Sequence, residues 1–151
     1  MNVNSLKKHL FFFIAFACVG MTTEIFFTAL SNLFPMFQTG IITWKLQGKS
    51  YIWMFPIYGM GGIIFPMVVH RFAKIFILLR VSLYALGIMV VEFLTGAFLE
   101  FFTGQCPWEY KIGLHFMGYI RLDYFPAWAF FGFCLEKLFL FLEKLSSGKG
   151  L

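Results

Sequence analysis

Charged side chains are scarce in this chain. They make up 13% of its 151 residues, whereas 60% of the residues are hydrophobic and 22% are aromatic. A soluble domain carries roughly a quarter charged residues, because water must solvate its surface. The shortage excludes an ordinary soluble domain and predicts that lipid solvates most of this protein.

Cysteine is rare too, and metal and nucleotide motifs are missing from the sequence. The three cysteines lie too far apart for a disulfide framework or a tetrahedral zinc site. Gly48-Lys49-Ser50 resembles the end of a phosphate-binding loop, but Thr43 stands where that loop needs its first glycine. We therefore expect no cofactor, no metal and no nucleotide site.

The basic residues outnumber the acidic ones, 12 to 7, for a formal net charge of +5. They occur singly or in pairs near the ends of apolar runs, whereas a nucleic-acid interface gathers them into a stripe with stacking aromatics. The pattern predicts no nucleic acid and, with the apolar composition, the lipid bilayer as the main partner. The stripes of Ala and Gly on the apolar runs would also suit a homo-oligomer or another membrane subunit as a further partner.

Four long apolar runs cover residues 10–33, 51–69, 75–98 and 125–141. Their apolar residues are continuous, so they indicate helices of the roughly 20 residues that a bilayer requires and not the alternating strands of a barrel. We predict an all-α fold, a polytopic membrane bundle of about four transmembrane helices over residues 10–142. Residues 1–9 and 143–151 would then be an N-terminal segment and a C-terminal tail.

The second run contains five helix-breaking residues, Pro56, Gly59, Gly61, Gly62 and Pro66. Proline removes a backbone hydrogen bond, and sharp kinks in helices occur at such residues. The sequence therefore predicts that this helix is kinked or split into two half-helices.

The orientation follows from the distribution of Lys and Arg. Seven of these residues fall on the side of the two termini and four on the opposite side. Positively charged residues mark the cytoplasmic side, so both termini are predicted to be cytoplasmic, in the cell (inner) membrane. The longest connection, residues 103–124, would then be an outer loop. Residues 112–120 are apolar but too short to span, so the loop either lies on the membrane or re-enters it partway.

Three glutamates, Glu24, Glu92 and Glu136, fall inside apolar runs, where an ionised side chain costs roughly 2.5 to 3.5 kcal/mol. Helical projection places each on a face with small or polar residues, and Glu100 continues the face of Glu92. This arrangement predicts that all of them point into the bundle.

Depth along the helices suggests how these charges combine. Glu24 and Glu92 are expected at a similar level, where they meet, with Arg121 or His115 nearby. Arg80 and Glu136 are expected at a common level nearer the cytoplasm, as an ion pair.

The outer loop contains Cys106-Pro107-Trp108-Glu109-Tyr110 and then Phe116-Met117-Gly118-Tyr119-Ile120. With Glu92-Phe93-Leu94-Thr95-Gly96 before it, this pattern resembles the transmembrane protein 229 family, a group also labelled ABC-transporter type IV. The resemblance implies a small multi-pass membrane protein and makes Glu24, Glu92, Trp108, Glu109, Tyr110 and Gly118 site candidates. The family often carries a V-E-K motif in the second span, where this chain has Phe65-Pro66-Met67.

Three functions remain open at this point. The first is a transport-related or small-ligand-binding protein that uses its inward glutamates. The second is a membrane-embedded enzyme that acts on a lipid, with Glu92 or Glu109 and His115 as acid and base. The third is a structural or assembly subunit. Among these, we favour a protein that is not an enzyme. We also predict that Trp108-Glu109-Tyr110 forms an ordered cap over the bundle.

Overall fold

The computed structural model describes residues 3–40 and 44–146. Five α-helices run along the chain: α1 (Val3–Ser31), α2 (Leu33–Thr39), α3 (Met54–Phe72), α4 (Ile77–Thr103) and α5 (Phe125–Ser146). Two strands, β1 (His115–Phe116) and β2 (Ile120–Arg121), and a 3-10 turn over Leu122–Tyr124 lie between α4 and α5. The predicted all-α fold class is confirmed.

The chain forms two compact units, residues 1–67 and 68–151, and each is described by itself. In the first unit α1 and α3 run antiparallel in close contact. Gly20 lies against the ring of Tyr58, and Gly62 lies against the backbone of Phe12. The rings of Phe16 and Phe65 are 6.1 Å apart at the same contact. Glycine at the crossing points lets two helix backbones approach closely, as in many membrane helix pairs.

The prediction that the second span splits into half-helices is wrong. Helix α3 is continuous from Met54 to Phe72, with Pro66 inside it. Pro56 falls in the first turn of α3, where a backbone N–H has no partner within the helix in any case. Gly59 and Gly62 contact Phe13 and Phe12 of α1, so these glycines serve packing. Pro56 at the helix start and Gly59 and Gly62 at the contact with α1 therefore leave α3 continuous, although Pro66 lies inside it.

In the second unit α4 and α5 form an antiparallel pair. A Cβ atom added at Gly132 of α5 would lie 2.6 Å from the Cβ of Tyr84 on α4, so the backbones are in close contact there. One turn further along α5, Glu136 contacts Arg80, one turn back along α4. Residues of α5 therefore pair with residues of α4 in reverse order.

Helix α4 ends where its backbone turns left-handed. Gly104 has a φ of 75°, and its N–H donates to the carbonyl of Glu100 at 2.8 Å. Only glycine adopts this conformation without a steric cost, so it commonly terminates helices. The chain then reverses into the β1–β2 hairpin, in which His115 pairs with Arg121 and Phe116 with Ile120.

Among the residues that the structure describes, three segments are long and apolar enough to cross a membrane: Ser5–Ser31, Ile77–Thr103 and Leu122–Ser146. They correspond to the first, third and fourth predicted spans. Helix α3, with its two prolines and its His70-Arg71 end, is not among these three, so the count of four spans stays a prediction.

Candidate functional site

A buried ion pair joins α4 to α5. Arg80 donates from Nη2 to Oε1 of Glu136 at 3.0 Å, and its Nε lies 2.8 Å from Oε2. The hydroxyl of Tyr84 donates to the same carboxylate at 2.8 Å. Glu136 is only 4% exposed. The ion pair predicted from the sequence is confirmed, and it compensates the charge of this carboxylate within the protein.

Glu24 has a different environment, in the first unit. Its Oε2 accepts hydrogen bonds from Ser50 Oγ at 2.7 Å and from the hydroxyl of Tyr58 at 3.4 Å. Ser50 belongs to the non-helical segment before α3. The N–H of Lys49 in this segment donates to the Thr28 hydroxyl of α1 at 2.9 Å, and this bond keeps Ser50 beside α1. Within the described residues Glu24 therefore contacts two hydroxyl donors and makes no ion pair.

Glu92 accepts a hydrogen bond from the hydroxyl of Tyr110 at 2.7 Å. This bond and two others fold the connection back along α4: Tyr110 N–H donates to Gly118 at 2.8 Å, and Trp108 Nε1 donates to the carbonyl of Tyr119 at 3.2 Å. Trp108 is buried. The segment predicted as an ordered cap thus packs against its own preceding helix.

Gly118 is required by the shape of the hairpin. Met117 and Gly118 have φ values of 52° and 76°, and the N–H of Tyr119 donates to the carbonyl of Phe116. A turn with positive φ at both central residues strongly favours glycine. Gly118 therefore has a structural role in the motif that carried the family resemblance.

The remaining candidates lie at the surface of the second unit. Glu109 pairs with Lys111 at 3.2 Å, and His115 is exposed on β1. Arg121 pairs with Asp123 and stacks 4.1 Å from the ring of Tyr124.

Glu100 is exposed, and its carboxylate raises the pKa of the nearby Tyr119 phenol. Glu24 and Glu92 belong to different compact units, so their meeting stays a prediction, as does the acid–base pair with His115.

Three residues in these contacts were not foreseen from the sequence: Ser50, Tyr58 and Tyr84. The hydroxyl group of each donates a hydrogen bond to a glutamate. Tyr84 could have been found, because it lies one helical turn after Arg80 on the face that the ion pair uses. Among the described residues no group of three His, Cys, Asp or Glu is arranged to hold a metal ion.

A model of the family described as "Putative ABC-transporter type IV" matches residues 11–146. The chain belongs to this family. The match agrees in broad terms with the resemblance drawn from the loop motifs. No solved structure matches the chain. Family membership, together with the three helices of membrane-spanning length and composition in the described part of the chain, indicates an integral membrane protein of the type IV family.

Proposed function

We propose that this type IV family member is a transport-related membrane protein that binds a proton or a small cation at Glu24. The contrast between two carboxylates supports this proposal. Glu136 has the positive charge of Arg80 beside it, whereas Glu24 accepts from the hydroxyls of Ser50 and Tyr58. Two carboxylates in similar helices therefore differ in how their charge is compensated.

The physical argument concerns the cost of an uncompensated charge. Glu24 lies about 10 Å from the C-terminal end of α1, within a segment of membrane-spanning length. An ionised carboxylate at such depth costs roughly 2.5 to 3.5 kcal/mol, and hydroxyl groups donate hydrogen bonds without adding positive charge. Glu24 is therefore expected to be neutralised by a proton or by a bound cation.

The surroundings of Glu24 suit a small hard cation. Ser50 and Tyr58 have hydroxyl oxygens with lone pairs, which together with the carboxylate form an all-oxygen donor set. Ser50 belongs to a non-helical segment, and non-helical backbone beside a helix is a feature of ion sites in transporters. The description of the family points to ABC transporters. Because the sequence has no phosphate-binding loop, an ATP-driven process would use a separate nucleotide-binding subunit.

Thermal unfolding of the purified protein in detergent tests the proposal. NaCl is exchanged for choline chloride at constant ionic strength, and the series is repeated over a range of pH. We expect the wild-type Tm to rise with Na⁺ or on acidification. Glu24→Gln should fold and lose this response, because its amide oxygen still accepts from Ser50 and Tyr58 but carries no charge.

Two variants serve as controls. Glu109→Gln removes an exposed carboxylate and should keep the wild-type response. Glu136→Gln leaves Arg80 without its buried partner and should lower stability by about 3 to 5 kcal/mol in every buffer. A Glu24→Gln variant that responds like the wild type, or a wild type that responds to neither Na⁺ nor pH, would overturn the proposal.

A further inference from the structure

The two helices of the second unit begin and end at different levels. Gly132 faces Tyr84 and Glu136 faces Arg80, so continuing this register places Phe125, the first residue of α5, level with about Val91. The rings of Tyr124 and Tyr110 are in contact, and Tyr110 reaches Glu92, which supports the same level. Helix α4 therefore continues about 18 Å beyond the start of α5.

If α4 spans the hydrocarbon core, this overhang cannot all project into water. Helix α4 has 27 residues and is about 40 Å long, so removing the overhang leaves about 22 Å. A bilayer has a hydrocarbon core of about 30 Å. If α4 spans the core, the hydrocarbon must extend at least about 8 Å past the level of Phe125. The connection between α4 and α5 descends through that layer.

Contacts along the overhang show where the hairpin lies. The ring of Phe116 is 5.8 Å from that of Phe93, and the ring of Tyr119 is 5.5 Å from it. Phe93 lies about 15 Å below the C-terminal end of α4. The hairpin is therefore folded down beside α4 and does not extend above its end.

The exposed side chains of this region suit lipid. Phe98 and Phe101 on the overhang are 59% and 83% exposed, and Leu114 and Phe116 on the hairpin are 64% and 53% exposed. The hairpin thus continues the apolar exposed surface of a helix of membrane-spanning composition. In water an exposed apolar surface of this kind would promote aggregation, whereas in contact with acyl chains it is favourable.

The connection also has hydrogen bonds within its backbone and ion pairs between its charged side chains. Non-helical backbone at membrane depth must satisfy its own hydrogen bonds. Part of the hairpin backbone does so through its strand pairing, through the bond from the Tyr110 N–H to the Gly118 carbonyl and through that from the Leu122 N–H to the Leu114 carbonyl at 2.7 Å. The flanking charges form ion pairs, Lys111 with Glu109 and Arg121 with Asp123.

We infer that the β1–β2 hairpin re-enters the bilayer, and that Leu114 and Phe116 contact the acyl chains of the leaflet nearest the α4 C-terminus. The inference concerns topology and does not depend on the proposed role of Glu24. It selects one of the two arrangements that the sequence left open.

Depth-dependent fluorescence quenching tests this inference. The three cysteines are replaced by alanine, and single cysteines at Leu114 and Phe116 are labelled with an environment-sensitive dye in phosphatidylcholine vesicles. The reference positions are Leu94→Cys, on the exposed face of α4, and Gln105→Cys, just after α4 ends. We expect labels at 114 and 116 to be quenched by brominated acyl chains as strongly as the label at 94. Aqueous iodide should quench only the label at 105.

Two results would overturn the inference. Iodide quenching at 114 and 116 equal to that at 105 would place the hairpin in water. Labels quenched by neither iodide nor brominated lipid would show that protein, such as a second copy of the chain, covers the hairpin. Should Phe116→Cys fail to fold, the exposed position 114 decides the test alone.

Discussion

At the scale of single residues, the recurring feature is a tyrosine hydroxyl donated to a glutamate. Tyr58 pairs in this way with Glu24, Tyr110 with Glu92, and Tyr84 with Glu136. A phenol suits this task in lipid, because its ring is apolar and its hydroxyl is a neutral donor with a pKa near 10. Glu136 also has the positive charge of Arg80 beside it. The tyrosines therefore donate hydrogen bonds to the carboxylates, and Arg80 compensates the charge of Glu136.

Gly118 provides a prediction at this scale. Its φ of 76° is unfavourable for any residue with a Cβ, so Gly118→Ala is expected to destabilise the protein by about 1 to 2 kcal/mol. Gly87→Ala is the matched control, because Gly87 is helical and a Cβ there meets nothing within 4 Å. That change should be neutral or stabilising, since alanine favours helix. Thermal unfolding in detergent compares the two, and equal Tm values would contradict the prediction.

At the scale of elements, helix contacts decide which breaking residues matter. Helix α3 contains several glycines and two prolines yet stays continuous: Gly59 and Gly62 pack against α1, and Pro56 lies in the first turn. Helix α4 ends at Gly104, where the backbone is left-handed. The same residue type thus terminates one helix and permits close packing of another.

The α1–α3 contact gives a second prediction, from two adjacent glycines. A Cβ at Gly62 would overlap the carbonyl oxygen of Phe12, which belongs to the backbone and cannot rotate away. Gly62→Ala should therefore cost about 1 to 3 kcal/mol, the usual range for overpacking. Gly61→Ala changes the neighbouring residue, where a Cβ meets nothing within 4 Å, and should be tolerated. Loss of stability in both variants, or in neither, would show that the contact does not limit packing.

At the scale of the whole molecule, the chain is a membrane protein of the type IV family, and its described part contains three helices of membrane-spanning length. Its orientation rests on the count of Lys and Arg alone, which predicts cytoplasmic termini and an outer connection between α4 and α5. The hairpin inference and the orientation are independent, because re-entry can occur from either side.

Cysteine labelling in intact cells tests the orientation. The exposed position Gln105→Cys, in a chain without Cys18 and Cys134, should react with an impermeant maleimide before the membrane is opened. Cys106 should react slowly at neutral pH, because its burial raises the pKa of the thiol. The thiolate is the reactive form of cysteine. Labelling of Cys106 should therefore become fast only at a higher pH than labelling of position 105. Labelling of 105 only after permeabilisation would invert the orientation.

The sequence by itself determined the membrane environment, the helical class and the Arg80–Glu136 pair. These follow from local quantities: the length of apolar runs and the spacing of charges along helices of known rise. Only the tertiary structure decided the continuity of α3, the hairpin after α4 and the tyrosine partners of the glutamates. Tyr58 is 34 residues from Glu24, and Tyr84 is 52 residues from Glu136. Such pairs depend on helix register and close packing, and for Tyr84 the position one turn after Arg80 was the one local signal.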